Sequence, residues 1–304
     1  MMHSLPVWQF DVLLLVLVVL FAVVALSIRN LMGAAVVFGA YSFMMCLIWA
    51  GMGAVDVAFT EAAVGAGVST VFIVSTIYNT SATMRSRPGG MAFKLFIGGV
   101  VTLAGVFLLS ALPDFPDWGD PNSPVNATVA PYYIENSIRD THVPNLVTSV
   151  LADYRGFDTL LETIVVFIAC IGIYSILRIE TAKSKTDEPE KDTATAPPSY
   201  DPSDSLIVRQ ASRFMVPFMQ LFALYVIAHG HYSPGGGFQG GVILGASLIL
   251  LAISFDLKFL LRQWSEKTLM LLVATGVFLY AAVGLACMFM GGNYLDYGFL
   301  DSIL

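Results

Sequence analysis

Eight apolar runs leave this chain little choice of fold. Each is about as long as the 20 residues a helix needs to cross a hydrocarbon core. They are Phe10–Ile28, Leu31–Gly53, Val55–Tyr78, Phe93–Leu112, Thr159–Leu177, Leu206–Ala228, Phe238–Phe255 and Leu269–Gly291. Inside a bilayer every backbone N–H and C=O must find its partner within the protein, so such runs fold as helices. Composition agrees: 57% of the 304 residues are hydrophobic, 12% are charged, and the mean hydropathy is +0.76. An all-α, polytopic membrane protein of about eight spans is predicted, and a soluble domain is excluded. The first run is too long and lacks the basic start of a cleaved signal peptide, so it is read as a span. Cys46, Cys170 and Cys287 all lie within apolar runs and form no C-x-x-C pair, which points away from a metal or disulfide framework.

The loops fix an orientation. Of the 15 basic residues, 13 fall in alternate loops, and only Arg139 and Arg155 lie on the other side. The positive-inside rule then places the N-terminus outside, in the cell (inner) membrane. Two loops are long. Pro113–Asp158 is external and rich in Pro, Asp and Asn; Trp118, Tyr132 and Tyr133 fit an interfacial aromatic belt, and Asn145–Asp153 a short interfacial helix. Glu180–Ser205 is internal, poor in apolar residues and rich in Pro, Thr and charge, and reads as a flexible linker. It divides a five-span half from a three-span half. The unequal halves argue against a simple inverted-repeat transporter.

The third run, VDVAFTEAAVGAGVSTVFIVSTIY, carries Asp56 near one end and Glu61 further in. An ionised carboxylate in hydrocarbon costs at least about 2.5–3.5 kcal/mol, so intramembrane acids mark ion routes by default. Five positions apart, the two acids point roughly 140° from each other on an ideal helix and do not form one paired site. Gly65–Gly67 removes side-chain bulk where Glu61 seeks a neighbour and weakens the helix. The alternative is a small-residue packing seam with one hydrogen-bonded acid.

Two further runs hold candidate chemistry. In DYRGFDTLLE, Asp158 is placed to cap the fifth span, Glu162 follows four residues later on the same face, and Arg155 is a partner for either. An interfacial acid without a transport role is the other reading. In HGHYSPGGGFQGG, His229 and His231 are side chains whose protons move near neutral pH. The glycines around Pro234 and Phe238 allow a sharp re-entry into the membrane, unless the run is only a turn. A metal site is weakly supported, and no dinucleotide fingerprint, Ser-His-Asp group or nucleic-acid patch is present. No cofactor is predicted.

Taken together, these runs resemble a known family. VDVAFTEAAVGAGVSTVFIVS is similar to the small three-helix domain ending the large A-type chain of Mrp-type multisubunit Na+/H+ antiporters, and to its counterpart in membrane-bound hydrogenases. NLVTSVLADYRGFDTLLETIVVFIACIGIY resembles the two-helix domain next to it, and HGHYSPGGGFQGGVILGASLILLAISFD the B-type chain. The resemblance implies a fusion: residues 1–90 a three-helix A-type domain, 91–179 a two-helix domain, 180–205 the linker and 206–304 a B-type domain. It implies that Glu61 and Glu162, with Asp56 and Asp158 beside them, belong to an ion and proton route. It links His229, Pro234 and Phe238, with His231 alongside, to antiport. It makes Gly65 and Gly67 candidates for a helix bulge that gates hydration. A B-type chain normally has a fourth span, and three are read here.

The expectation is therefore a transport subunit, not an enzyme, moving Na+ and H+ together with large antiporter-like and small membrane subunits in the lipid bilayer. A redox-driven complex such as a membrane-bound hydrogenase uses the same module, and a structural scaffold is the reading from a different class.

Overall fold

The computed structural model describes residues 7–79, 90–117, 119–184, 206–255 and 265–301. Among them the chain is helical, and eight helices are long and apolar enough to cross a membrane. Helices α1 (Val7–Ser27) and α2 (Leu31–Gly51) form a hairpin, with Asn30 capping α2 by accepting from the N–H groups of Met32 and Gly33. The third span is not one regular helix. It starts as α3 (Val55–Thr60), continues as a π-helix over Glu61–Ser69 and ends as α4 (Thr70–Asn79). Then come α5 (Met91–Ser110), the short α6 (Pro124–Ala127), α7 (Val129–Thr141) and α8 (Leu146–Ser149). A second π-helical turn, Val150–Tyr154, leads into α9 (Gly156–Ser184). The remaining helices are α10 (Leu206–His229), α11 (Gly237–Phe255), α12 (Glu266–Phe289) and the short α13 (Tyr297–Asp301).

Several expectations are corrected. The long loop after the fourth span contains the 13-residue helix α7, whose start carries no side-chain cap for a reader to find. Tyr132 and Tyr133 meet Tyr154 in one ring cluster, with the Tyr133 and Tyr154 centroids 4.9 Å apart. Helix α9 runs to Ser184, so Glu180–Ser184 is helix and not linker. Residues 185–205, Trp118, Arg85, Arg87, Asp256 and Lys258 lie outside the described residues. Asp158 stands in the first turn of α9 instead of at its cap, and it pairs with Arg155 at 2.6 Å.

Packing does not follow the order of the chain. The hairpin α10–α11 packs against the π-helical stretch of the third span, which in turn packs on α2. Helix α12 packs on α9 instead, and α13 on α7 and the second π turn. The three spans after the linker are thus shared between the two groups that precede it. Many of the buried side chains at the helix contacts are small, among them Ala35, Ser42, Ala58, Ser212, Ala223, Ser247 and Ser254, beside the larger Leu14, Ile77, Leu160, Val216 and Val226. That is how helices associate in lipid, where apolar surface gives no drive and close backbone approach does. The Ser212 and Ser254 hydroxyls meet at 2.5 Å. Helix α5 is exposed on every side, with Phe93 60% and Leu108 75% accessible.

Candidate functional site

The π-helix begins at Glu61. A π turn bonds each N–H five residues back and leaves carbonyls to be satisfied locally; here the Thr70 hydroxyl donates to the Gly65 carbonyl at 3.4 Å. Small residues fill the stretch, so α2 approaches closely. The Gly65 Cα faces both the Glu61 carboxyl and the Ser42 hydroxyl: an added Cβ would collide with Glu61 Oε1 and stand 2.8 Å from Ser42 Oγ. Ser42 is buried, and Glu61 is half-buried. Gly67 has no such demand, since its Cβ would meet only the Ala62 carbonyl at 3.4 Å.

A cleft of about 360 Å³ opens beside Glu61. Phe38, Tyr41 and Ser42 of α2 form one wall, Thr60, Glu61, Val64 and Gly65 another, and Phe238 of α11 reaches in from across. Phe38 and Tyr41 stack with centroids 6.0 Å apart. The cleft is therefore apolar apart from one carboxyl and three hydroxyls.

Two hydrogen bonds pin the His–Gly run onto this wall. Asp56 Oδ1 accepts from the Gly235 N–H at 3.0 Å, and Gln239 Nε2 donates to Thr60 Oγ1 at 2.8 Å. Gly235 and Gly236 have φ of 135° and 130°, a backbone region that side-chain-bearing residues rarely enter. Phe59 packs edge-on against Phe222 below them. From the other side, Asn145 Nδ2 donates to the Ser233 carbonyl at 3.0 Å, and Thr148 Oγ1 to the Gly230 carbonyl at 2.6 Å. The Asn145 N–H donates to the His231 carbonyl. The loop that sequence alone leaves open as a mere turn is clamped between both preceding segments.

The predicted residues thus separate into groups. Glu61, Gly65 and Phe238 share the cleft, while Asp56 holds the loop. His229 and His231 are exposed; the His229 ring stacks on Tyr225 at 4.4 Å, the His231 ring lies tilted against Tyr232 at 4.1 Å, and the His229 carbonyl closes the turn by accepting from the Tyr232 and Ser233 N–H groups. Pro234 is exposed within that turn. Asp158 and Glu162 lie on α9, away from the cleft walls, and Glu162 is exposed. Sequence reasoning missed Ser42, Thr60, Gln239, Asn145 and Thr148. Thr60 and Gln239 were adjacent to chosen residues, but nothing in the run around Ser42 or Asn145 announces its partner.

Comparison with known proteins fits this geometry. Residues 16–82 match the family of the MBH D subunit, residues 121–193 that of the MBH E subunit, and residues 207–304 a domain related to the MnhB subunit of Na+/H+ antiporter. The B subunit of the Na(+)/H(+) antiporter of Bacillus subtilis is 30% identical over 97 residues, 32% of this chain and 67% of that one. The chain belongs to the Mrp-type antiporter subunit family. Within that family it is a fusion of the end of an A-type chain with a B-type domain. The A/B subunit of a probable K(+)/H(+) antiporter of Rhizobium meliloti is 27% identical over 187 residues, covering 57% of this Mrp-type chain but 18% of the relative. A chain of the Mrp complex from Dietzia sp. DQ12-45-1b superimposes with a TM-score of 0.73 at 26% identity, over 93% of this chain and 30% of that one. This Mrp-type chain therefore spans under a third of the length of either of these two relatives. It is a multi-pass membrane protein.

Proposed function

We propose that this chain is a membrane subunit of a Mrp-type monovalent cation/proton antiporter, set in the cell membrane with its N-terminus outside. It serves both assembly and the ion pathway. The observation that carries the proposal is Glu61, half-buried at the start of a π-helix, facing Ser42 and a cleft that Phe238 of the B-type domain closes. Glu61 takes up and releases a proton or a Na+ as the π-helix shifts register, which moves hydration along the cleft. Asp56, Thr60 and Gln239 hold the His–Gly loop so that a movement of the B-type domain is felt at Glu61. His229, His231 and Pro234 shape the mouth, and Glu162 with Asp158 forms a second point on the route. Partner subunits supply the large antiporter-like machinery and cover α5.

The test is Glu61→Gln in the intact complex, read as Na+- and K+-dependent dissipation of a pH gradient in everted vesicles. Loss of antiport with the complex still assembled is expected; full activity would remove Glu61 from the route. The matches to the D and E subunits of MBH favour a second reading, a redox-driven ion pump built on the same module. Mass spectrometry of the complex purified through this chain decides: iron–sulfur or nickel–iron subunits in fixed ratio mean the pump.

A further inference from the structure

A charged site is built at the end of the α10–α11 hairpin opposite the His–Gly loop. Arg209 and Arg213 stand four residues apart on α10, hence on one flank of the helix. Both reach over the same ring. The guanidinium carbons of Arg209 and Arg213 lie 5.4 and 5.6 Å from the centroid of Phe255, the last residue of α11. A guanidinium is attracted to a ring face at this distance, and its N–H edge stays available to an anion. The register that brings the three residues together is pinned beside them. Ser212, next to Arg213, and Ser254, next to Phe255, are both buried, and their hydroxyls meet at 2.5 Å.

Depth decides what these arginines face. Helix α10 has 24 residues and is about 36 Å long, against a hydrocarbon core of about 30 Å. Its first turn therefore stands at the headgroup boundary, and Arg213, about 10 Å along the axis from Leu206, starts within the hydrocarbon margin. A charged head at that depth reaches back to the boundary on its apolar stem. Phe255 meets it there. Both arginines are exposed, among the exposed Leu206, Ile207 and Phe214, so the surface they share is turned to lipid. Among the described residues no carboxylate pairs with either guanidinium. Glu266, the acid that opens α12 at this margin, accepts instead from the Tyr174 hydroxyl at 3.1 Å. Two cations held on one ring repel each other, and an anion between them removes that cost.

We propose that Arg209 and Arg213 bind the phosphate of one anionic phospholipid, with Phe255 as the platform that positions them. Guanidinium forks match phosphate oxygens, two N–H groups to two oxygens, and at this depth the phosphate belongs to the headgroup layer. The acyl chains run along α10 past Phe214 and Phe218, whose rings lie 5.0 Å apart. An anionic lipid is favoured over a zwitterionic one, which would carry its own ammonium group into the field of two cations. The bound lipid holds the foot of the hairpin whose other end presents the His–Gly loop. The site is separate from the Glu61 cleft and does not depend on the route assigned there.

The probe is phosphatidylglycerol with a photoreactive group high in one acyl chain, compared with the matching phosphatidylcholine. The intact complex is reconstituted in phosphatidylcholine vesicles holding a small fraction of either probe and illuminated, and labelled peptides covering 206–218 are quantified by mass spectrometry. Phosphatidylglycerol should label this segment at least about fivefold more than phosphatidylcholine, the worth of one basic residue at an anionic surface. Arg209→Gln combined with Arg213→Gln should lower phosphatidylglycerol labelling about 10-fold or more and leave phosphatidylcholine labelling unchanged. Phe255→Leu keeps both charges and should lower it about threefold. Lys267→Gln, a basic residue at the same margin outside the site, should change it less than about twofold. Equal labelling by the two lipids in the wild type overturns the proposal, as does wild-type labelling of the double variant. A fall with Lys267→Gln as large as with the double variant would mean diffuse attraction to a basic margin, and the built site is then refuted. Assembly is checked on native gels. Should the double variant not assemble, the two single variants decide, and wild-type labelling in both overturns the proposal.

Discussion

Gly65 and Gly67 look alike in the sequence and differ in the folded chain. At Gly65 the missing side chain is what lets the Glu61 carboxyl lie against Ser42; at Gly67 the space is ordinary. Gly65→Ala is expected to displace Glu61 and lower antiport roughly 10- to 100-fold, the cost of misplacing a working group by about 1 Å. Gly67→Ala should change the rate less than about threefold, because its Cβ only touches the Ala62 carbonyl. Vesicle antiport normalised to assembled complex compares the two; equal losses would mean that the helix, and not the Glu61 pocket, is being tested. Glu61 itself was legible from sequence because an acid in an apolar run is costly. Ser42 was not, because a serine in an apolar run most often bonds its own helix.

The segment from α7 to the second π turn works as a strut, and two of its contacts can be measured. Asn145 caps α8 and also donates to the His–Gly loop, so its two tasks are lost together. Asn145→Ala should cost about 1 kcal/mol as a lost cap and speed amide exchange at 230–236 roughly fivefold. Exchange unchanged in that loop would show that the clamp is incidental. At the other end, the Tyr154 hydroxyl, followed by Arg139, holds the Asp140 carboxyl below its ordinary range. The Tyr154 hydroxyl is itself raised to about 12 by burial and by Asp140. Because the Asp140 value is depressed on folding, its contribution is present above the ordinary carboxylate pKa near ~4 and fades as pH falls through the folded value. Tyr154→Phe should therefore lower thermal stability at pH 7 more than at pH 3; an equal effect at both would sever the link to Asp140. Helix α7, which places Tyr132, Tyr133 and Asp140 here, was hidden in sequence by a loop-like composition of Pro, Asp and Asn around it.

Across the molecule, packing crosses the linker twice: α10 and α11 join the third span, and α12 joins α9. A protease site inserted between 185 and 205 should thus be cut without separating the pieces, which co-purify in mild detergent; clean separation would contradict the observed packing. The sequence alone determined the features that the solvent imposes. About eight spans, their boundaries within a few residues and the helical class come from the need to satisfy backbone groups in hydrocarbon, a constraint each segment meets by itself. The costly acids were likewise visible one at a time. Only the tertiary structure decided which helix lies against which, and so that Asp56 holds Gly235, that Phe238 shares a cleft with Glu61, and that Tyr280 reaches the Gly156 carbonyl. In lipid those choices rest on small residues and single hydrogen bonds between segments as many as 179 positions apart, and such contacts leave no periodic trace in the chain.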